Sequence, residues 1–367
     1  MKRRTLLSCI LASGCVLVSS QSFAQATDEQ ALYAAAQKEG PLVVYSDFSN
    51  QIWAPIVREF TAKYPGLEVQ TLDIEQREMA ERYFAEKSAG VHFASLIVNN
   101  YDEMNRNYIT TGEILDYDLP AAAQFPEWSK PFPGVYAMSV DPVVMTWNKL
   151  VIPDDKAPHS LAALAELVAA DPGNYKGKIT TYSPEKDRLS YATYKVTFKT
   201  NGEETGWKIY ETLGPATKFE VSTGTMVQKI VSGEYLVAYN AASAPVWSRL
   251  KDPAFEQILG WSFIEDGTPA SPRFVGIPVD APSLNSAKLL LGFLVSKEGQ
   301  LAIAEGGRTI YHPDVNLSEL AKGQYCVNGI VDAIGEDKLI VLMQPVESEE
   351  KYNATMGRLK KIYNMKK

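Results

Sequence analysis

The sequence predicts an α/β protein in which two units of alternating strands and helices each surround a mostly parallel sheet. Short continuous apolar runs recur along the chain, beginning with Leu42-Val43-Val44-Tyr45, and such runs are typical of strands buried on both faces. Between them, apolar residues recur at helical spacing, as Trp53, Ile56 and Phe60 do. This alternation is typical of a parallel sheet with helices on both faces.

The first unit opens with a predicted helix and contains three predicted strands. Gly40-Pro41 and Tyr64-Pro65-Gly66 each end a helical pattern, because proline and glycine interrupt helices. The predicted elements are, in order, a helix at 29–39, a strand at 42–45, a helix at 53–60, a strand from Leu67 and a strand at 94–98.

The rest of the chain repeats the alternation. Ser160 is a good N-cap residue for a helix, and Asp171-Pro172-Gly173 ends that helix. The predicted elements are strands at 134–139 and 143–147 around Asp141-Pro142, a helix at 161–170, a strand at 178–182, a helix at 223–230, strands at 235–239 and 274–277, and one long helix at 285–305.

The N-terminus has the pattern of a secretory signal peptide. Lys2, Arg3 and Arg4 precede an apolar run at 6–18, and Ser22-Phe23-Ala24 offers small residues where a signal peptidase cleaves. The run is too short for a stable membrane anchor. We therefore expect residues 1–24 to be a signal peptide and the mature protein to lie in the periplasm. A lipoprotein cleaved before Cys15 is the alternative.

Composition narrows the possible partners. Cleavage after Ala24 removes three cations and no acid, which takes the formal net charge from −8 to −11. Because a chain with this negative charge repels nucleic acid and anionic lipid surfaces, we expect neither as a partner. Cys326 is the one cysteine left after cleavage, which excludes an internal disulfide.

Polar side chains gather where the predicted strands end or the next helix begins. In open α/β sheets, ligands bind outside the carboxyl ends of the strands, where helix N-termini also favour anions. Each such side chain has an alternative role as a helix cap or turn residue. The candidate ligand-binding residues are Ser46, Asp47, Ser49, Asn99, Asn100, Ser183, Arg188, Thr223, Thr225, Asn240, Ser243 and Arg273.

Several segments, in this order, resemble type 2 periplasmic solute-binding proteins. The strand, polar loop, tryptophan-bearing helix and Tyr64-Pro65-Gly66 are similar to the opening of that family, and residues 144–149 to the strand after its first interdomain crossing. Val231-Ser232-Gly233-Glu234 is similar to a helix-to-strand step of the second lobe. Residues 277–300, ending in Phe293-Leu294-Val295-Ser296-Lys297-Glu298-Gly299-Gln300, resemble the return segment of the ferric-ion, phosphonate and sugar-phosphate branch.

The resemblance implies a two-lobed fold with a ligand cleft between the lobes and a function in uptake. Crossings are expected near residues 134–136 and 268–274. Lobe 1 would then comprise 25–136 and 272–367, and lobe 2 would comprise 137–271. The implied function is the solute-binding component of an ABC-type transporter, a monomer that closes on its ligand and delivers it to a membrane permease.

The residues favour an organic anion, phosphorylated or carboxylated, as the ligand. The ferric-ion branch typically holds its metal with an adjacent tyrosine pair, but the strand end here reads Tyr239-Asn240-Ala241. Regrouping of Tyr182, Tyr191, Tyr194 and Tyr239 leaves ferric iron as the alternative ligand. With three histidines and no Cys/His spacing, we expect no zinc site and no cofactor.

Two other functional classes remain open. An exported hydrolase is one, although the chain has no Gly-x-Ser-x-Gly elbow, no His-Glu-x-x-His helix and no Walker loop. A ligand sensor that signals to a membrane histidine kinase is the other, because the same scaffold serves both roles. We expect no enzymatic activity.

Overall fold

The structure, a computed structural model, describes residues 28–186, 188–343 and 348–365. The predicted signal peptide lies outside them. The described residues contain ten strands: β1 (Leu42–Ser46), β2 (Val69–Asp73), β3 (Leu96–Asn100), β4 (Val135–Asn148), β5 (Ile179–Tyr182), β6 (Thr217–Glu220), β7 (Val237–Ala242), β8 (Leu259–Ser262), β9 (Thr268–Gly276) and β10 (Leu339–Val341). Eight of them form one continuous path of paired strands, and β8 and β10 pair with β4 and β9 beside it.

Helices separate most of the strands, as the sequence predicts. In order, they are α1 (28–36), α2 (Asn50–Lys63), α3 (Gln76–Ser88), α4 (Tyr101–Glu103), α5 (Leu161–Ala170), α6 (Pro172–Tyr175), α7 (Arg188–Asn201), α8 (Glu203–Leu213), α9 (Thr223–Val231), α10 (Ser243–Arg249), α11 (Pro253–Glu256), α12 (Leu284–Val295), α13 (Lys297–Glu305), α14 (Val327–Ile334) and α15 (Glu349–Ile362). No helix of the described residues has the length and apolar character needed to span a membrane.

The strand order β2-β1-β3-β9-β4-β7-β5-β6 divides into two halves. Strands β1, β2 and β3 are parallel, and so are β5, β6 and β7. We call the first set with its helices lobe 1 and the second set with its helices lobe 2. The two central strands, β4 and β9, run antiparallel to each other. Strand β9 also pairs with β3 of lobe 1, and β4 also pairs with β7 of lobe 2, so together they connect the lobes.

Strand β4 corrects one prediction. The sequence predicts two strands around Asp141-Pro142, but the structure has a single strand of 14 residues. Pairing of β4 with β9 ends at Pro142, and pairing with β7 begins at Val143. The proline, which has no N–H to donate, therefore lies where the strand changes partners and costs the sheet little.

The predicted long helix at 285–305 is also wrong, because the chain forms two helices, α12 and α13, there. Ser296 separates them with an extended backbone, and its side chain accepts a hydrogen bond from the Gly299 N–H. The second helix turns so tightly onto the first that a Cβ atom on Gly299 would lie 1.8 Å from the Phe293 carbonyl oxygen. Glycine is thus required at this turn.

The C-terminal helix α15 packs on lobe 2. Its Met356 and Leu359 are buried in the same apolar cluster as Tyr194 and Tyr210 of α7 and α8. The proposed lobe boundaries remain a prediction, and this packing favours a revised one in which residues 349–362 belong to lobe 2.

Candidate functional site

A cleft of about 910 Å³ lies between the lobes, at the carboxyl ends of their parallel strands. Such a position is where open α/β sheets bind ligands. Its lining comes from three regions. Lobe 1 provides residues 75–77 and 100–103, the strand crossing provides Val143 and 271–273, and lobe 2 with the C-terminal segment provides Tyr182, Lys186, 190–193, Lys195, Asn240, Ala242, Leu342, Glu349 and Tyr352.

The lobe 1 wall is joined to the crossing by a chain of side-chain hydrogen bonds. Asn100 donates its amide N–H to Gln76, and the Gln76 amide donates to Asp47 Oδ2 at 2.5 Å. Arg273 of β9 donates its Nε–H to the same Asp47 oxygen at 3.2 Å and a second N–H to the Ser271 hydroxyl. Arg273 is thereby held at the base of the cleft, with 14% of its side chain exposed.

A second ion pair lies behind Arg273. Arg308 donates to Asp141 Oδ2 of β4 at 2.5 Å, and Asp141 Oδ1 accepts the Thr309 N–H at 3.0 Å. The Arg308 guanidinium lies 4.2 Å from the centre of the Phe48 ring. Burial lowers the pKa of Arg308, and the carboxylate of Asp141 opposes that shift. The sequence analysis missed this pair, because nothing local links residues 167 positions apart.

Thr223 is buried behind the lobe 2 wall and joins the elements that form it. Its hydroxyl lies 2.7 Å from the Tyr182 hydroxyl and accepts the Ala242 N–H at 2.9 Å, while its own N–H donates to Tyr182 at 3.0 Å. These bonds join the ends of β5 and β7 to the start of α9. Asn240 has a positive φ of 53° and donates to the Thr193 hydroxyl.

Three of the predicted binding residues line the cleft: Asn100, Asn240 and Arg273. Asp47 contacts Arg273 behind them. Most of the others make local structural contacts or are buried. The Ser46 hydroxyl accepts hydrogen bonds from Trp53 and Phe48. Ser49 precedes α2 without a side-chain capping bond, and Ser222 rather than Thr225 caps α9. The buried candidates are Asn99, Ser183, Thr223 and Ser243. Arg188 begins α7, and its side chain lies outside the described part of the chain. Ligand contact by these residues stays a prediction.

The structure also brings charged groups to the cleft that the sequence analysis did not single out. Arg77 at the start of α3 and Lys186 after β5 line opposite walls, and both are exposed. Within the described residues, neither side chain has a hydrogen-bonding or ionic partner. Their sequence signal was their place after a strand end or at a helix start, the criterion that selected the other candidates.

Four tyrosines line the cleft as well: Tyr101, Tyr182, Tyr191 and Tyr352. The regrouping weighed in the sequence analysis is only half observed. Tyr194 and Tyr239 are buried inside lobe 2, where their hydroxyls contact that of Tyr363 at 3.0 and 2.9 Å. Burial raises the pKa of Tyr239 to about 12, so this phenol is neutral. Among the described residues, no three His, Cys, Asp or Glu side chains converge as a metal site.

Comparison with known proteins agrees with this architecture. The family model described as bacterial extracellular solute-binding protein matches residues 96–327. No curated protein sequence gives a significant match. The substrate-binding protein of an ABC transporter from Agrobacterium tumefaciens superposes with a TM-score of 0.72 and 19% identity, over 89% of this chain and 94% of that protein.

Two further solved structures carry ligands. A Trichodesmium protein in complex with iron and citrate superposes with a TM-score of 0.64 and 19% identity, over 89% of this chain and all 100% of that one. The periplasmic binding protein AfuA of Actinobacillus pleuropneumoniae, with fructose-6-phosphate bound, superposes with a TM-score of 0.57 and 20% identity, over 73% of this chain and 83% of that one. At these identities the likeness shows the fold alone, and it confirms the predicted two-lobed α/β fold.

Proposed function

The chain belongs to the bacterial extracellular solute-binding proteins of ABC transport, and from this premise we propose that its cleft binds a small organic anion, phosphorylated or carboxylated. The observation that carries the proposal is the pair of unpartnered cations on opposite walls, Arg77 and Lys186. A side chain without a protein partner is free to bind a ligand without first breaking an existing ion pair. The partly buried Arg273 at the base of the cleft is a third cation, less exposed than the other two.

The proposed mechanism is closure of the lobes on the ligand. An anion bound to Arg77 on one wall gains a second cationic contact when lobe 2 brings Lys186 toward it. Only the closed form offers both contacts at once, so the ligand shifts the equilibrium toward that form. Strands β4 and β9 are the proposed hinge, because they pair with strands of both lobes. The permease would recognise the closed form.

Ferric iron is the second candidate ligand, and the four tyrosines that line the cleft favour it. The hydroxyl of Tyr182 is already bonded to Thr223, which weakens that case. A complex of iron with an organic anion would combine the two candidates. The anion would bind the cationic side chains, and the metal would bind the phenol oxygens.

The remaining parts of the proposal concern location and role. We propose that residues 1–24 direct export to the periplasm and that the mature chain acts as a monomer without enzymatic activity. The exported hydrolase and the sensor for a histidine kinase are its competitors. Turnover of a bound compound would support the hydrolase, and a kinase gene beside the coding gene would support the sensor.

A thermal-shift panel on the ligand-stripped mature protein tests the ligand class. The panel contains phosphonates, sugar phosphates, glycerophosphate, di- and tricarboxylates, polyamines, ferric iron with bicarbonate and ferric iron with citrate. An organic anion at about a thousand times its Kd is expected to add about 4 kcal/mol of stability. In lobes of this size that corresponds to a rise in Tm on the order of 10 °C.

The matched control is the double variant Arg77→Gln and Lys186→Gln, which removes both unpartnered cations without altering a described contact. An anion that stabilises the wild type is expected to lose most of its effect on this variant. A rise with ferric salts alone would make iron the ligand. An anion effect that survives in the double variant would contradict the proposed roles of Arg77 and Lys186.

A further inference from the structure

The cleft carries one unpartnered carboxylate in addition to the two unpartnered cations. Glu349 lines the cleft and is exposed, and it has no hydrogen-bonding or ionic partner among the residues that the structure describes. A free carboxylate is an unexpected neighbour for an anion, because like charges in one site repel. Its presence therefore says something specific about the ligand.

The other acidic side chains of the cleft are already engaged. Their partners are backbone N–H groups at a helix start, an arginine and an amide. Glu75 accepts from the Arg77 and Glu78 N–H groups, Asp102 pairs with Arg106, and Glu103 accepts from the Asn107 amide at 2.7 Å. These carboxylates are thus satisfied within lobe 1, and Glu349 alone among the described acids of the cleft is available to a ligand.

Glu349 is held at the cleft by helix α15, which packs on lobe 2. Tyr352, one helical turn after Glu349, also lines the cleft and lies on the same side of the helix. Its ring packs edge-on against Tyr191 of α7, with the ring centres 4.8 Å apart. Further along, Met356 and Leu359 are buried in lobe 2. The start of α15 therefore moves with lobe 2.

Building on the proposed function, we propose that Glu349 determines specificity by accepting a hydrogen bond from a hydroxyl or ammonium group of the ligand. Arg77 and Lys186 bind the anionic group, and Glu349 binds the donor group. The ligand class is then a small anion that also carries a hydrogen-bond donor. An anion without a donor meets an unpaired carboxylate, and this repulsion rejects it.

Two series of probes test this inference by isothermal titration calorimetry. The phosphate series is phosphoethanolamine, glycol monophosphate and ethyl phosphate, and the carboxylate series is β-alanine, β-hydroxypropanoate and propanoate. In the series whose anionic group fits, a donor-bearing member is expected to bind at least about tenfold more tightly than the donor-free member, because hydrogen bonds to a charged group are strong. Glu349→Ala is expected to abolish this preference.

Glu349→Gln distinguishes the two kinds of donor. Its amide oxygen still accepts a hydrogen bond but has no charge, so preference for a hydroxyl is expected to persist and preference for an ammonium to be lost. Asn353→Ala is the matched control, because Asn353 is exposed on the same helix and does not line the cleft. Unchanged thermal unfolding of each variant checks that α15 is still docked.

The outcomes separate this inference from the proposed function. Equal or tighter binding of the donor-free members, or a preference that survives Glu349→Ala, overturns the role of Glu349. Binding of none of the six probes, while donor-free anions of the larger panel bind, also overturns it and leaves the anion-binding function standing. Failure of every organic anion overturns the proposed function itself.

Discussion

Behind the cleft, the polar contacts at the strand crossing are ion pairs, whereas those behind the lobe 2 wall join neutral hydroxyl groups. Asp47 and Arg273, and behind them Asp141 and Arg308, are ion pairs. In lobe 2, Thr223 contacts Tyr182, and the phenols of Tyr194, Tyr239 and Tyr363 contact one another.

Ion pairs and neutral hydroxyl contacts respond differently to the loss of one partner. Ion pairs removed from water stabilise the fold only while both members are present, because the loss of one leaves the other charge uncompensated. Neutral hydroxyl networks depend on geometry alone. Burial raises the pKa of the tyrosines in lobe 2, so they stay neutral over the physiological range. Among the described residues, the charges at the crossing are therefore paired, and Arg77 is the unpartnered cation of the lobe 1 wall.

The largest effect is expected from Arg308→Met. This change leaves the Asp141 carboxylate buried without its cation, and breaking a buried pair in this way typically costs about 3–5 kcal/mol. Urea unfolding measures the loss, and hydrogen exchange is expected to locate it at β4 and β9. Arg58→Met, which removes an exposed pair with Glu305, is the control and is expected to change little. Equal effects of the two variants would contradict the contrast.

A smaller effect is expected from Thr223→Val in lobe 2. The variant keeps the shape of the side chain but leaves the Ala242 N–H and the Tyr182 hydroxyl without their partner, at a cost of about 1–3 kcal/mol. Because no charge is involved, the loss of stability is expected to be the same at about pH 5 and about pH 8, between which proteins are usually most stable. Thr225→Val, whose hydroxyl contacts only Ser222 near the surface, is the control. A strongly pH-dependent loss would argue against a neutral network.

The smallest effect is expected from Glu39→Gln. Partial burial alone would raise the pKa of Glu39, but four hydrogen bonds from Asn285 and Ser286 at the start of α12 outweigh it and hold the pKa below the ordinary 4.5. A lowered pKa contributes stability that is fully present above 4.5 and is lost as the pH falls through the pKa of the folded protein. The variant is expected to cost about 1 kcal/mol at neutral pH, typical of a helix cap.

Urea unfolding across the acid range checks the sign of that prediction. The gap between the wild type and Glu39→Gln is expected to narrow below pH 4.5, as the wild-type carboxyl is protonated. A gap that stays constant at acid pH would show that the carboxylate of Glu39 is not the group responsible.

The sequence by itself determined the fold class, because strand and helix signals are local. Apolar runs and caps act over a few neighbouring residues, so the positions of β1, α5 and α9 and the alternation of strands and helices could be predicted from them. Ser160 caps α5 as predicted. Breaks in a pattern were less informative. Asp141-Pro142 did not end a strand, because the tertiary pairing of β4 with β9 and β7 continued through it.

Only the tertiary structure decided which polar groups face the cleft and which are satisfied elsewhere. Asp47 and Arg273 are 226 residues apart, and Glu349 reaches the cleft because α15 packs on lobe 2. Serine, threonine and asparagine at strand ends have the same local signal whether they cap a helix or bind a ligand. What separates these roles is whether the side chain finds a partner within the folded protein, and that depends on residues far away in the sequence.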